Sequence, residues 1–269
     1  METLHLGVVL YRNTAAELEQ LTRSLRRLEH EGLTLELRFL DNSPDAGERR
    51  EVTEQFGPAA YRRMGENRGF GAAHNVAMRE AFTAGAAAYV CVNPDTVLHP
   101  WCVRELWGTS LRPRTALVDA RTFPEEHPKP YDPASGETPW CAGTVLLITR
   151  EAFQVTGGFD EQLFMYGEDV DLSWRARAAG WVNRTAAGAL ALHWVEHRPL
   201  DQERELRVLR STVYLGRKWG AVGFARRYER LYRHLAGTPL VPAHPAVLPP
   251  GADRMADFRH GVRFARSRW

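Results

Sequence analysis

The strongest constraint on this chain is a rhythm. Over the first 92 residues, short apolar runs alternate with helical patterns, and the runs tend to stop at polar, turn-forming residues. Residues 6–11 (LGVVLY), 35–40 and 88–92 (AYVCV) are such runs, with a weaker one at 59–64. Each is too short for a helix and reads as a buried strand. After the first run, Thr14 stands three residues before Glu17. That spacing is a capping box, and it opens a helix with Leu18, Leu21, Leu25 and Leu28 on one face. Residues 71–84 carry a second helical pattern. Strands alternating with helices predict an α/β fold with a mostly parallel, Rossmann-like central sheet and flanking helices. Ligands of such sheets bind outside the carboxyl ends of the strands. The residues that end the runs (Tyr11-Arg12, Asp41-Asn42, Asn93-Pro94-Asp95) are therefore expected to line one crevice.

After about residue 112 the rhythm changes. The proline-rich stretch 122–139 reads as an ordered loop, 141–149 as a strand and 150–155 as a short helix. Residues 169–179 read as a helix ended by Gly180, and 181–192 as a last strand pair. Helices are expected at 203–219 and 224–235. Five prolines in residues 237–251 mark a stiff linker, and 253–266 has the pattern of a basic amphipathic helix. Length agrees with one large domain and an appendage: 269 residues, 44% hydrophobic and 25% charged, is ordinary globular composition. The expected division is a catalytic domain over 1–220 and a basic, helical C-terminal appendage over 221–269.

The formal net charge of +2 argues against nucleic acid as a partner. It averages over unlike parts, because nine arginines crowd residues 221–269 against only Glu229, Asp253 and Asp257. Arginines on the two expected C-terminal helices alternate with Phe224, Tyr228, Leu231 and Leu235, then with Phe258, Val262 and Phe264. That pattern suits anionic lipid headgroups as well as a solvated face. Of the 35 basic residues, only Lys129 and Lys218 are lysines. Cys91, Cys102 and Cys141 form no CxxC pair, so free thiols and a cytoplasmic location are expected. The N-terminus lacks a signal-peptide layout, and no apolar run spans a bilayer.

Four constellations carry chemistry. Asn93-Pro94-Asp95 ends an apolar strand, where a carboxylate can bind a divalent metal bridging a diphosphate, although a strand-ending turn explains it as well. Residues 157–161 (GGFDE) run into Gly167-Glu168-Asp169-Val170-Asp171. A helix start tolerates one acid, and three acids in four residues suggest a positioned base. Residues 66–75 (ENRGFGAAHN) hold a glycine turn that could offer backbone amides to phosphate, with Arg68 adding charge. It lacks the third glycine of a dinucleotide fingerprint, which disfavours a Rossmann dehydrogenase. Last, His193 follows an apolar stretch, with Trp194 and His197 behind it. Arg198-Pro199 argues against a helical HxxxH zinc site.

In this order the motifs resemble glycosyltransferase family 2, and within it rhamnosyltransferase-like enzymes of the GT-A fold. The resemblance spans about residues 4–220. It is carried by VVLYRN at 8–13, LDNSPD at 40–45, ENRGFGAAHN at 66–75, VNPDTVLHP at 92–100 and the run from Gly157 to Trp181. It implies inverting, metal-dependent transfer of a sugar, with rhamnose one candidate, from a dTDP- or UDP-linked donor. The acceptor would be a glycan or lipid-linked hydroxyl in cell-surface polysaccharide synthesis. Tyr11 and Asp41 would contact the nucleoside, and Asn67 and Arg68 the nucleotide and diphosphate. Asn93 and Asp95 stand at the DXD position, with Asp95 and His193 as ligands of Mn²⁺ or Mg²⁺. Asp169, beside Glu168, matches the general base, and an ordinary carboxyl pKa would serve it. Trp140, Tyr166 and Trp181 are candidates for stacking on acceptor sugars. Two departures are Asn93 at the first DXD acid and the stretch after His193, which lacks the family's small residues. Two other functions compete: a sugar-nucleotide-forming nucleotidyltransferase, whose glycine-rich loop is missing at Tyr11–Thr14, and a non-catalytic nucleotide-sugar-binding module.

Overall fold

The computed structural model describes residues 1–193, 202–241, 245, 247–259 and 266–267. Its first half follows the expected rhythm. Strand β1 (Glu2–Leu10) leads to helix α1 (Ala15–Leu25), then β2 (Leu33–Asp41), α2 (Arg50–Phe56), β3 (Tyr61–Arg63), α3 (Phe70–Thr83) and β4 (Ala88–Val92). The Thr14–Glu17 capping box is formed, and Leu18, Leu21 and Leu25 are buried from α1, with Leu28 just beyond it. Parallel pairing gives the order β3-β2-β1-β4. All five residues of β4 are buried, as a strand covered on both faces requires.

The second half is mixed. It comprises β5 (Thr96–Leu98), α4 (Cys102–Ser110), β6 (Thr115–Glu126), β7 (Glu137–Thr138), β8 (Val145–Thr149), α5 (Arg150–Thr156), α6 (Glu168–Ala178) and β9 (Val182–His193). Strand β8 lies antiparallel between β4 and β6, and β6 runs parallel to β9. Helices α7 (Gln202–Lys218) and α8 (Val222–Ala236) follow, and β10 (Arg266–Ser267) pairs with the end of β6.

Three expectations are corrected. The stretch 122–139 is not all loop, because β6 continues through Glu126 and Glu137–Thr138 pair with β9. Proline is tolerated there because this end of β6 is only partly covered. The expected strand pair at 181–192 is one twelve-residue strand that reaches β6, β7 and β5. The expected basic helix over 253–266 is replaced, where the chain is described, by a single 3-10 turn at Ala252–Met255 and by β10. Phe258 turns inward instead, 5.1 Å from the Trp174 ring and 4.6 Å from Phe224. Burying this ring against two aromatic neighbours outweighs the amphipathic pattern around it. Residues 248–258 thereby join a core cluster with Trp140, Trp174 and Trp219. No helix among the described residues is long and apolar enough to cross a membrane.

Candidate active site

One cavity of about 600 Å³ opens where the carboxyl ends of β1, β2 and β4 meet α6 and α7. Tyr11, Arg12 and Asn13 line it from the end of β1, Asn42 from β2, and Asn93, Pro94 and Asp95 from β4. This is the crevice that the strand-ending residues point to. Glu168 and Asp169, Trp140, Tyr166, Asn67 and His193 also line it. Trp194 and His197 lie outside the described residues.

His193 comes close to Asp95 through strand register. In the antiparallel pairing of β5 with β9, Thr96 is the partner of His193. The residue before Thr96 therefore meets the imidazole, and Nε2 lies 3.5 Å from Asp95 Oδ1. Both side chains are largely buried, and His193 Nδ1 has no hydrogen-bond partner among the described residues. Asn93 is pinned by its amide to the Thr144 carbonyl at 2.9 Å, and its own carbonyl accepts from the Thr96 hydroxyl at 2.7 Å. Among the described residues, no group of three or more His, Cys, Asp and Glu is arranged to hold a metal. The pair offers one carboxylate and one imidazole, a donor set that could hold Mn²⁺ or Mg²⁺ if a substrate's phosphate supplied further oxygens.

The acids of α6 divide by role. Asp169 Oδ2 accepts from the Gly143 amide and Oδ1 from the Val170 amide, each at 2.8 Å. Glu168 Oε2 is buried without a partner among the described residues. Burial, and then the neighbouring Asp169 charge, push the Glu168 carboxyl up to about 8. Burial raises Asp169 as well, against the opposing influence of His127 and the two amides. The ordinary carboxyl pKa expected for the base is thus not what the site provides. The pair holds a proton near neutral pH, and the charge rests on Asp169, the member whose oxygens are solvated by amides. Asp171, the third acid, faces away from this chemistry. It is fully buried, and Arg175 Nε, Lys218 Nζ and Trp219 Nε1 donate to it at 2.7, 2.8 and 3.0 Å. Lys218 also reaches Asp160 at 2.6 Å, where the Tyr214 hydroxyl donates at 2.7 Å. Asp160 of the GGFDE segment and Asp171 of the EDVD segment therefore clamp α7 onto α6.

Several expected nucleotide contacts are already occupied. Asp41 is fully buried beneath the cavity and does not line it. Burial alone would raise its carboxyl, but hydrogen bonds from Ser43, Arg49 and Tyr61 hold it below the usual range. Arg49 also donates to the Asn13 carbonyl at 3.0 Å, so Asp41 shapes the Tyr11–Asn13 loop from behind. Arg68 lies off the cavity and pairs with Glu66 at 3.0 Å. Two amides of the glycine turn have partners within the chain: Gly69 donates to Asn67 Oδ1 at 3.1 Å and Phe70 to the Phe164 carbonyl at 3.0 Å. Gly69, at φ +83°, is needed for close approach, since a Cβ there would sit 2.3 Å from the Phe164 oxygen. The turn thus packs chain on chain, and Asn75 completes it by clasping the amide and carbonyl of Phe159.

The stacking candidates differ. Tyr166 lines the cavity in a strained left-handed conformation (φ +74°). Trp140 is 1% exposed and forms a back wall, with the Lys129 ammonium 5.4 Å from its ring centre. Trp181 lies outside this cavity and lines a second groove beside Tyr131 and Arg177. Asn42 lines the cavity as expected of a strand-ending residue, and its buried Oδ1 has no partner among the described residues. His127, Arg204 and Arg207 line it without having been anticipated from sequence. No motif marked those three.

The comparisons agree with this geometry. The family model "Glycosyl transferase family 2" matches residues 8–171. The N-acetylglucosaminyl-diphospho-decaprenol L-rhamnosyltransferase of Mycobacterium tuberculosis is 39% identical over 101 residues, which is 38% of this chain and 28% of that protein. The Escherichia coli K12 rhamnosyltransferase WbbL is 38% identical over 58 residues, 22% of each chain. The chain thus spans only 28% and 22% of the lengths of these two curated relatives. A mannosyltransferase of Pyrobaculum calidifontis, solved with GDP-Man and Mn²⁺, superposes with a TM-score of 0.60 at 16% identity, covering 87% of this chain and 68% of that one. That likeness concerns the fold, which is the GT-A fold. With more than half of its length matched by the family model, the chain belongs to glycosyltransferase family 2.

Proposed function

We propose that the protein is an inverting glycosyltransferase. It moves a sugar, rhamnose being the first candidate, from a dTDP- or UDP-linked donor to a hydroxyl of a glycan or lipid-linked acceptor in cell-surface polysaccharide synthesis. The observation that carries this reading is the sharing of one cavity by the polar ends of β1, β2 and β4, the Asp95–His193 pair and the Glu168–Asp169 pair. Inverting transfer requires in-line attack at the anomeric carbon, opposite the departing diphosphate. Asp169 takes the proton of the attacking hydroxyl as the new bond forms. Its two amide contacts aim the carboxylate, and Glu168, holding a proton, prevents a second charge beside it. Tyr11, Asn42 and Asn67 form the nucleoside end, and Asn93 lines the cavity from the same turn as Asp95. Asp41 acts on this end indirectly, through Arg49 and the loop it supports.

Asp95 and His193 would hold a divalent cation, Mn²⁺ or Mg²⁺, which when bound supplies positive charge to the leaving diphosphate. The exposed arginines of α8 (Arg226, Arg227, Arg230 and Arg233), with exposed Leu231 and Val222, support peripheral contact with an anionic membrane from the cytoplasmic side.

A panel of nucleotide sugars, screened by thermal shift with Mn²⁺ or Mg²⁺ and then assayed with acceptor, tests the proposal. One donor should stabilise the protein and yield free nucleoside diphosphate. Release of pyrophosphate from a sugar phosphate and nucleoside triphosphate would instead make it a nucleotidyltransferase. Undiminished turnover after EDTA treatment would remove the metal role of Asp95 and His193.

A further inference from the structure

We propose that Arg204 and Arg207 form a subsite for a phosphate or diphosphate carried by the sugar acceptor. The inference rests on the glycosyl-transfer reading of the cavity and names one chemical feature of its second substrate. Helix α7 carries Arg204, Arg207 and Arg210 at successive three-residue steps, and their surroundings differ. Arg210 lies off the cavity, and its guanidinium donates to the Tyr232 hydroxyl at 2.8 and 3.1 Å. Arg204 and Arg207 are half-buried and line the cavity. The Arg204 guanidinium lies 5.9 Å from the Tyr166 ring centre, and that of Arg207 lies 5.7 Å from the Phe164 ring centre. Among the described residues, Arg204 has no carboxylate partner, and the carboxylate paired with Arg207 belongs to Glu203, an exposed residue one turn back on the same helix. Two partly desolvated cations thus line the cavity, and among the described residues no carboxylate of its wall is paired with either. The planar forks of two guanidinium groups match phosphate oxygens, with two parallel hydrogen bonds each.

The position favours the acceptor over the donor. Arg204 and Arg207 share the cavity wall with Met165 and Tyr166, the residues that lead into Gly167, Glu168 and Asp169. An acceptor hydroxyl must reach Asp169, so the body of the acceptor lies against this stretch, whereas the donor diphosphate belongs with Asp95 and His193. The cavity's other acids stand on other elements: Glu17 on α1, Glu125 on β6, Glu168 and Asp169 on α6. Gln202 Nε2 donates to the Leu235 carbonyl at 2.9 Å, which brings the end of α8, with Arg233, to the same end of α7. A phosphate placed at Arg204 and Arg207 would therefore leave a lipid tail close to the basic face of α8.

The test is equilibrium binding of two probes to the full chain: octyl N-acetylglucosaminyl diphosphate, and the octyl N-acetylglucosaminide that lacks the diphosphate. Wild type should prefer the first by at least about tenfold, as charge-assisted bidentate contacts allow. Arg204→Ala/Arg207→Ala should abolish that preference while binding the neutral glycoside unchanged. Arg204→Lys/Arg207→Lys, which keeps the charge, should restore part of it. UDP and dTDP should bind the alanine variant as they bind wild type; weakened nucleotide binding would assign the arginines to the donor and overturn the proposal. Equal affinity of wild type for the two probes, or a preference retained by the alanine variant, would overturn it too. Absence of sugar transfer by wild type would count against the glycosyl-transfer reading, and the binding comparison still decides the subsite.

Discussion

At the scale of single residues, identity matters less than what surrounds each carboxylate. Asp41, Glu168, Asp169 and Asp171 are all acids on or beside recognisable motifs, and only Glu168 and Asp169 face the cavity. Asp169→Asn keeps the shape and removes the base, so turnover should fall by about 10²–10⁴ while donor binding is spared. Parallel measurement of kcat and donor affinity checks this, and near-normal turnover would sink the assignment. Glu168 gives a pH test. Its folded-state pKa, raised from 4.5 to about 8, means the folded chain binds this proton more tightly than the unfolded chain. That contribution to stability is complete below the unfolded value and is lost as pH rises through 8. Glu168→Gln removes the dependence. The Tm of the variant relative to wild type should therefore climb between about pH 5 and pH 9. A Tm difference flat across that range would refute the raised pKa. The two lysines are equally instructive. In a chain that otherwise uses arginine, both sit at buried sites where a compact ammonium meets several acceptors: Lys129 with Asp119, Thr185 and the Trp140 carbonyl, Lys218 with Asp160 and Asp171. A guanidinium is too broad for such a point-charge role.

At the scale of elements, α6 and α7 behave as one unit. Lys218 ties α7 to Asp171 on α6 and to Asp160 in the preceding loop, and Trp219 and Arg175 share Asp171. Lys218→Met would leave Asp160 without its cation and Asp171 with the Arg175 cation alone, and should destabilise the protein by about 3 kcal/mol. Urea denaturation measures this, and a loss under 1 kcal/mol, the scale of an exposed pair, would show that the clamp is not needed. Much of this was legible beforehand: the capping box of α1, the buried β4 and the helix behind Glu168 all follow from local pattern. The course of β6 through a proline-rich stretch was not, because local chemistry there favours a loop and only pairing with β9 and β10 holds it extended.

At the scale of the whole molecule, the basic C-terminal region is joined to the rest of the chain by packing. Ala252, Met255 and Phe258 join the cluster around Trp174 and Trp219, and Trp174 lies on the helix that carries Asp169. Deleting residues 237–269 should therefore lower the Tm by several degrees, each kcal/mol lost costing about 2–4 °C in a chain of this size. An unchanged Tm would show that the segment contributes nothing to folding. A membrane role is better tested by neutralising Arg226, Arg227, Arg230 and Arg233 in the intact chain, because truncation would disturb the core as well as remove charge.

Whatever depends on neighbours within a few residues is written along the chain: the alternation of strand and helix, the caps, the polar ends of β1, β2 and β4, and the acidic start of α6. These follow from hydrophobic period and backbone hydrogen bonding, which act locally. Packing settles which of those polar residues face the cavity and which are consumed in holding it open. Register set His193 against Asp95, burial raised Glu168, and Arg49 and Tyr61 took up Asp41. Desolvation and charge pairing depend on atoms far apart in the chain, and a linear motif carries no record of them.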